Sequence, residues 1–207
     1  MFASREDAGA KLGRCLLEQR VRADLVLGLP RGGVIVAAGV ARALNLPLDV
    51  LVVRKIGHPW HREFAVGALA EAGVIVLDEE AIGTNAVIRA ELEEIIREED
   101  ERLRSYQARF HPKGAPDLTG KAVLLVDDGL ATGASTEAAV LSARKGNAGF
   151  IVVAAPVASP SAVERLARVA DEVRVLCVDP EFDAVGRYYD VFAQTTDEEV
   201  MGVMRDA

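Results

Sequence analysis

The stretch Val123-Leu124-Leu125-Val126-Asp127-Asp128-Gly129-Leu130-Ala131-Thr132-Gly133-Ala134-Ser135-Thr136 decides how this chain folds. Four consecutive apolar residues read as a strand buried on both faces. Two carboxylates end it. A turn of small and hydroxyl-bearing residues follows, and then Glu137 to Lys145, which has helix-forming composition. Gly133 and the small Ala131, Ala134 and Ser135 let the backbone bend until its N–H groups converge on one point. The helix that starts there adds unpaired N–H groups and a partial positive charge. Thr132, Ser135 and Thr136 add hydroxyl donors. Together they suit a phosphate monoester. Asp127 and Asp128 lie too close to that phosphate to favour a second anion. They suit sugar hydroxyls or a divalent cation.

The same plan occurs upstream. Asp24 to Leu29 is a short apolar strand, Pro30-Arg31-Gly32-Gly33 a tight loop, and Val34 to Leu44 a helix stopped near Asn45 and Pro47. A cation, Arg31, stands where the later motif has acids. Such a loop can offer N–H groups and a guanidinium to a polyphosphate. Read alone, it is equally an ordinary glycine-rich turn between strand and helix.

The flanking elements alternate. Arg5 to Arg20 predicts an amphipathic packing helix capped by Ser4, with Asp7 three residues on. Leu48 to Val53 predicts a central strand. Arg54 to Phe64 shows neither period, holds several cations and the only Trp, and is expected to be a loop. His58 and His61 lie three apart, but without a third ligand two solvated histidines are expected. Ala65–Ala70 and Val74–Asp78, around Glu71-Ala72-Gly73, predict a hairpin. A long helix from Ala86 to about Arg109, capped by Thr84 or Asn85, carries Glu93–Arg97 and Glu98–Arg102 at i,i+4 on a solvated or dimer surface. The loop from His111 to Pro116 ends it. Strands at Gly149–Ala155 and Glu172–Val178 flank a helix capped by Ser159. Asp197–Met204 predicts a terminal helix. Strands and helices in alternation predict an α/β fold with an open, mostly parallel sheet and helices on both faces. Ligands bind such sheets where strand order reverses, so the two loops are expected to be neighbours.

Composition bounds the rest. The 207 residues form one large domain, or one with a small appendage. Aromatic residues are few, so Ala, Val and Leu must build the core. A net charge of −8 argues against general nucleic-acid binding. Cys15 and Cys177 fit no metal spacing and are expected as buried free thiols. No apolar run reaches a membrane span. Met1 to Asp7 lacks the layout of a signal peptide, and a cytoplasmic location is expected.

An apolar strand, Asp-Asp, three residues, Thr-Gly, one residue and a hydroxyl resembles the phosphoribosyl-diphosphate (PRPP) motif of the type I phosphoribosyltransferases. No G-x-G-x-x-G and no G-K-[ST] is present. The resemblance covers about Asp24 to Val178. It implies transfer of a 5-phosphoribosyl group from PRPP to a nitrogenous base, with release of diphosphate. By resemblance Asp127 and Asp128 hold the ribose, with magnesium bound mainly through PRPP and water. Ala131, Thr132, Gly133, Ala134, Ser135 and Thr136 hold the 5′-phosphate. Arg31 and Gly32 would contact the diphosphate from a loop that often carries a cis peptide. Residues 54–78 would form a mobile flap whose Arg54 and Lys55 neutralise the departing diphosphate. Residues 179–207 would form a hood over the base, with Phe182 and Tyr188 beside it, though ordinary C-terminal packing also explains these aromatics. Glu71 would lie near the nucleophile, but spacing does not place it. A homodimer is the expected assembly. Ala131 stands where some purine-salvage members carry an acid, which disfavours a hypoxanthine or guanine acceptor. Two alternatives stand beside the enzyme. One is a PRPP- or nucleotide-sensing regulator with little activity, which a conspicuous basic face would favour. The other is a phospho-acceptor domain using Asp127, whose acids would be expected in the first strand.

Overall fold

A computed structural model describes residues 1–83, 86–112 and 114–205, without the side chains of Glu63 and Ala86. Five strands form a wholly parallel sheet: β1 (Leu25–Gly28), β2 (Leu48–Val50), β6 (Ala122–Val126), β7 (Phe150–Ala158) and β8 (Glu172–Val178), in the order β2-β1-β6-β7-β8. The apolar runs follow from burial on both faces. Leu25, Leu27, Val123, Leu125, Ile151 and Val153 face one layer, whose helices are α5 (Ala134–Lys145) and α6 (Pro160–Leu166). Val26, Leu124, Val126, Val152 and Ala154 face the other, covered by α1 (Arg5–Glu18) and α2 (Gly32–Leu44). Aliphatic residues do build this core. Helix α1 begins as expected, with Ser4 accepting from the Asp7 N–H and Asp7 accepting from the Ala3 N–H.

Strand order reverses between β1 and β6, which pair in register with Gly28 opposite Val126. The two strand–turn–helix corners are therefore neighbours. Leu48 to Val53, expected as one central strand, is instead an edge strand of three residues followed by a crossing. Leu51 packs in the α5 layer, whereas Val50 and Val52 pack in a second core under α4 (Ala86–Phe110). Their apolar character comes from bridging two cores, not from a central place in the sheet.

A second, antiparallel sheet holds β3 (Val53–His58), β4 (His61–Ala70) and β5 (Val74–Leu77), in the order β3-β4-β5. The hairpin at 65–78 is present. The expected loop at 54–64 is not, because these residues pair as strands. Their period is hidden by register shifts on both sides of Gly57 and by Arg54, which reaches Glu99 on α4 at 2.8 Å. Helix α5 packs against both sheets and joins them. A short helix, α3 (Glu79–Ile82), precedes α4, and α7 (Asp197–Arg205) lies against α2.

On α4 Arg97 pairs with Glu94 and Arg102 with Glu99, at i,i+3, rather than with the expected Glu93 and Glu98; Arg104 pairs with Asp100 at i,i+4, and Glu98 faces Arg62 of β4. Thr84 and Asn85, the expected cap, lie outside the described residues, as does Lys113 in the following loop. Cys177 is exposed and Cys15 half-buried, so neither is the buried thiol expected. Among the described residues, no helix is long and apolar enough to cross a membrane.

Candidate active site

Each strand of the corner ends where its last inward side chain meets a helix start. At the β6 end, Leu130 keeps a single parallel bridge to Ala158 and its N–H donates to the Val157 carbonyl at 2.9 Å. The Ser159 hydroxyl donates to the Ala131 carbonyl at 2.5 Å, fixing the turn from outside. Gly133 sits at φ +75°, a left-handed conformation that a side chain would strain, with Ala162 close behind it. The first helical hydrogen bond of α5 runs from the Glu137 N–H to the Gly133 carbonyl at 2.8 Å. The amides before it point out of the helix start, toward the space over the turn. Thr132 is exposed, Ser135 half-buried and Thr136 buried.

The carboxylates stand at the mouth of this turn, half-buried. Asp127 Oδ1 accepts the Asp128 N–H at 2.8 Å. Burial and the adjacent Asp128 charge hold the Asp127 carboxyl well above the usual carboxylate range, against the pull of that N–H and of Lys55. Lys55, exposed on β3, is thus near enough to act on Asp127. Asp128 differs: its Oδ2 accepts Arg5 Nε at 2.7 Å, and its carbonyl accepts the Tyr189 hydroxyl at 2.6 Å.

At the β1 end, the Pro30–Arg31 peptide is cis. Gly32 lies directly against the acids. A Cβ there would sit on top of Asp128 Oδ2 and 2.5 Å from Arg5 Nε. Arg31 is half-buried and faces Asp197 at the start of α7, at 3.7 Å, while Arg109 pairs with the other oxygen of Asp197. Pro30, Arg31, Arg54, Lys55 and Tyr106 line a cavity of about 560 Å³ beside the loop.

The structure therefore brings together Asp127, Asp128, Gly32, Lys55 and the 131–136 turn, with Arg31 at the rim. Arg54 lines the same cavity, but its guanidinium is bonded to Glu99 and lies over the Tyr106 ring at 5.4 Å. Phe182 and Tyr188 stack on each other, 5.4 Å between centroids, and the Tyr188 hydroxyl donates to Asp179 at 2.7 Å. That bond pushes the Tyr188 hydroxyl up to about 12. The pair stands at the end of β8, two strands from the acids. Glu71 is drawn elsewhere: it accepts the Val52 N–H at 2.8 Å and meets His111 Nε2 at 3.0 Å, between the sheets. His58 is buried, contrary to expectation, and its Nδ1 accepts the Trp60 N–H at 3.2 Å.

Sequence reasoning missed Arg5 and gave Tyr189 no role at the acids. No spacing could reveal Arg5, which lies 123 positions from its partner.

Among the described residues, no cluster of three or more ligating side chains could hold a metal by itself. The twin acids do fit a cation that arrives with its own oxygen ligands. A cation beside them would relieve the burial and the Asp128 charge that disfavour an ionised Asp127, and magnesium characteristically keeps water and substrate oxygens while taking one or two carboxylates.

The family model described as "Phosphoribosyl transferase domain" matches residues 5–186. The chain belongs to this family. Protein TT1426 from Thermus thermophilus is 44% identical, with a TM-score of 0.79 over 99% of this chain and 98% of that one. Two Mycobacterium tuberculosis chains, from strains CDC 1551 and H37Rv, are named provisionally as phosphoribosyl transferases. Each is 42% identical over 205 residues, covering 99% of this chain and 46% of the relative. The chain thus spans about half the length of the curated relatives it matches. The AQ2163 protein of Aquifex aeolicus, 14% identical with a TM-score of 0.54 over 88% of this chain and 78% of its own, shares the fold.

Proposed function

We propose that this chain binds PRPP between its two strand–turn–helix corners and transfers the 5-phosphoribosyl group to a nitrogenous base, releasing diphosphate. One observation carries the reading. An acidic pair and an amide-lined turn end one strand, and a glycine loop with a cation ends the adjacent, in-register strand. One corner suits a phosphorylated sugar and the other its diphosphate.

In this reading Asp127 and Asp128 accept from the ribose hydroxyls. The amides of Ala131 to Thr136, with the Thr132 and Ser135 hydroxyls, take the 5′-phosphate. Arg31, the Gly32 amide and Lys55 take the diphosphate, with Arg54 in reserve along the same cavity wall. The bond from the sugar's C1 to the diphosphate oxygen breaks as a bond from C1 to the base nitrogen forms. The diphosphate leaves with the electron pair, and the base nitrogen releases its proton to solvent or to the departing diphosphate. Positive charge grows on the sugar, and the acids are already in place beside it. Magnesium, held mainly through PRPP and water with Asp127 and Asp128 as neighbours, would supply further neutralisation of the leaving group. We assign the planar base to the Phe182–Tyr188 surface and the covering role to residues 54–78. A homodimer in the cytoplasm completes the reading.

The direct test is incubation with PRPP, magnesium and a panel of purine, pyrimidine and related bases, with diphosphate release followed. Base-dependent release supports the transferase. PRPP binding without release for any base favours a PRPP- or nucleotide-sensing regulator instead. That second reading has one observation behind it: Arg31 and Asp128 are already engaged by the protein's own Asp197 and Arg5.

A further inference from the structure

The acids are neighbours in sequence but not equivalent in space. We propose that Arg5 is a positioning residue of the PRPP site and that it acts through Asp128. The inference rests on the ribose role assigned to Asp128 above.

Arg5 is the first residue of α1, and three contacts fix its guanidinium. Nε donates to Asp128 Oδ2 at 2.7 Å, Nη1 donates to the Ala193 carbonyl at 2.7 Å, and the guanidinium carbon lies 3.9 Å from the Phe192 ring centroid. The pair is largely withdrawn from water, with the side chains 12% and 16% exposed. A charge-assisted bond so placed is stronger than its surface counterpart. A guanidinium held at three points cannot follow a moving carboxylate, so the carboxylate must settle on it.

Asp128 is gripped at its other end as well. Its carbonyl accepts the Tyr189 hydroxyl, and Tyr189 is buried against Phe2 at 5.5 Å and near Phe192 at 5.1 Å. Backbone and side chain are thus both pinned. Oδ2 is committed to Arg5 and directed at Gly32, in the loop assigned to the diphosphate. In this proposal a ribose hydroxyl meets the other oxygen. Both ends of the chain converge on this ion pair, although neither carries the acidic motif.

The test is calorimetric binding of PRPP with magnesium to the full chain. Arg5→Gln should weaken binding roughly tenfold, and Arg5→Lys should recover part of the loss by restoring the charge without the fork. In an Asp128→Asn background, Arg5→Gln should cost less than about twofold, as expected when one residue acts through the other. Unchanged affinity in Arg5→Gln, or the same loss in both backgrounds, overturns the proposal. Should Arg5→Gln fail to fold, Phe192→Ala serves: it removes the ring behind the guanidinium at an exposed position. It should weaken PRPP about threefold, and only while Asp128 is present; an equal effect without Asp128 overturns the proposal. A crystal structure of ligand-free Arg5→Gln is the readout that needs no PRPP. Asp128 should leave its single side-chain orientation; an unchanged carboxylate overturns the positioning role. Wild-type protein that binds no PRPP would sink the proposed function, and the Asp128 orientation would still judge Arg5.

Discussion

The β1–α2 corner and the β6–α5 corner share one plan: a short strand buried on both faces, a tight turn and a helix start. They stand side by side, Gly28 opposite Val126. What differs is how each treats charge. The β6 corner gathers two carboxylates at the strand end and clears its turn with small residues. The β1 corner has a cis peptide, two glycines and one arginine. Each has one charged group met from a distant segment. Asp128 is met by Arg5 from α1, and Arg31 is met by Asp197 from α7. One backbone device thus yields an acidic and a basic half-site, and the terminal segments of the chain supply the counter-charges. Opposite charge side by side is what a phosphorylated sugar with a diphosphate leaving group requires.

The comparison breaks first at Gly32, where the two corners touch. Gly32→Val puts a side chain onto the Arg5–Asp128 pair. PRPP affinity should fall about a hundredfold by calorimetry, with cooperative unfolding retained. A change below about threefold would mean that the corners do not act as one site.

A second acidic cluster offers contrast. His111 lies between Asp49 at 3.4 Å and Glu71 at 3.0 Å. Burial opposes its charge, but hydrogen bonds to the two acids prevail and raise it to about 9. A histidine raised above its ordinary value stabilises the fold fully below about pH 6.5, and that gain is lost as pH rises through about 9. His111→Gln should cost about 2 kcal/mol below pH 6.5 and much less above pH 9, by denaturant titration at several pH values. PRPP affinity should be unchanged, which would separate these structural acids from those at 127 and 128.

Arg31→Ala should weaken diphosphate and PRPP about tenfold while leaving ribose 5-phosphate unaffected. Ser135→Ala should do the reverse more weakly, lowering ribose 5-phosphate affinity about threefold and sparing free diphosphate. Losses that do not separate in this way would mean that the half-sites are assigned wrongly.

The parallel sheet was legible because burial on both faces leaves unbroken apolar runs, as at Val123 to Val126 and Ile151 to Ala155. Its helices were legible from Ser4, Ser159 and the small residues after Gly133. The antiparallel sheet was legible only in part. Arg54 and Lys55 on β3 serve α4 and the acids, so their strand has no apolar alternation to read. Leu51 and Val52 resembled the middle of a strand because each enters a different core. At the site, the acids and the turn could be read from local spacing. Arg5 and Asp197 could not, since each meets its partner only after the whole fold has closed.

The most direct measurement is a crystal structure of the protein with PRPP and magnesium. The 5′-phosphate should lie within hydrogen-bonding distance of the amides of residues 132–136, with the ribose hydroxyls on Asp127 and Asp128 and the diphosphate against Arg31 and Gly32. A sugar phosphate bound elsewhere, or lying with its phosphate away from that turn, would contradict the account.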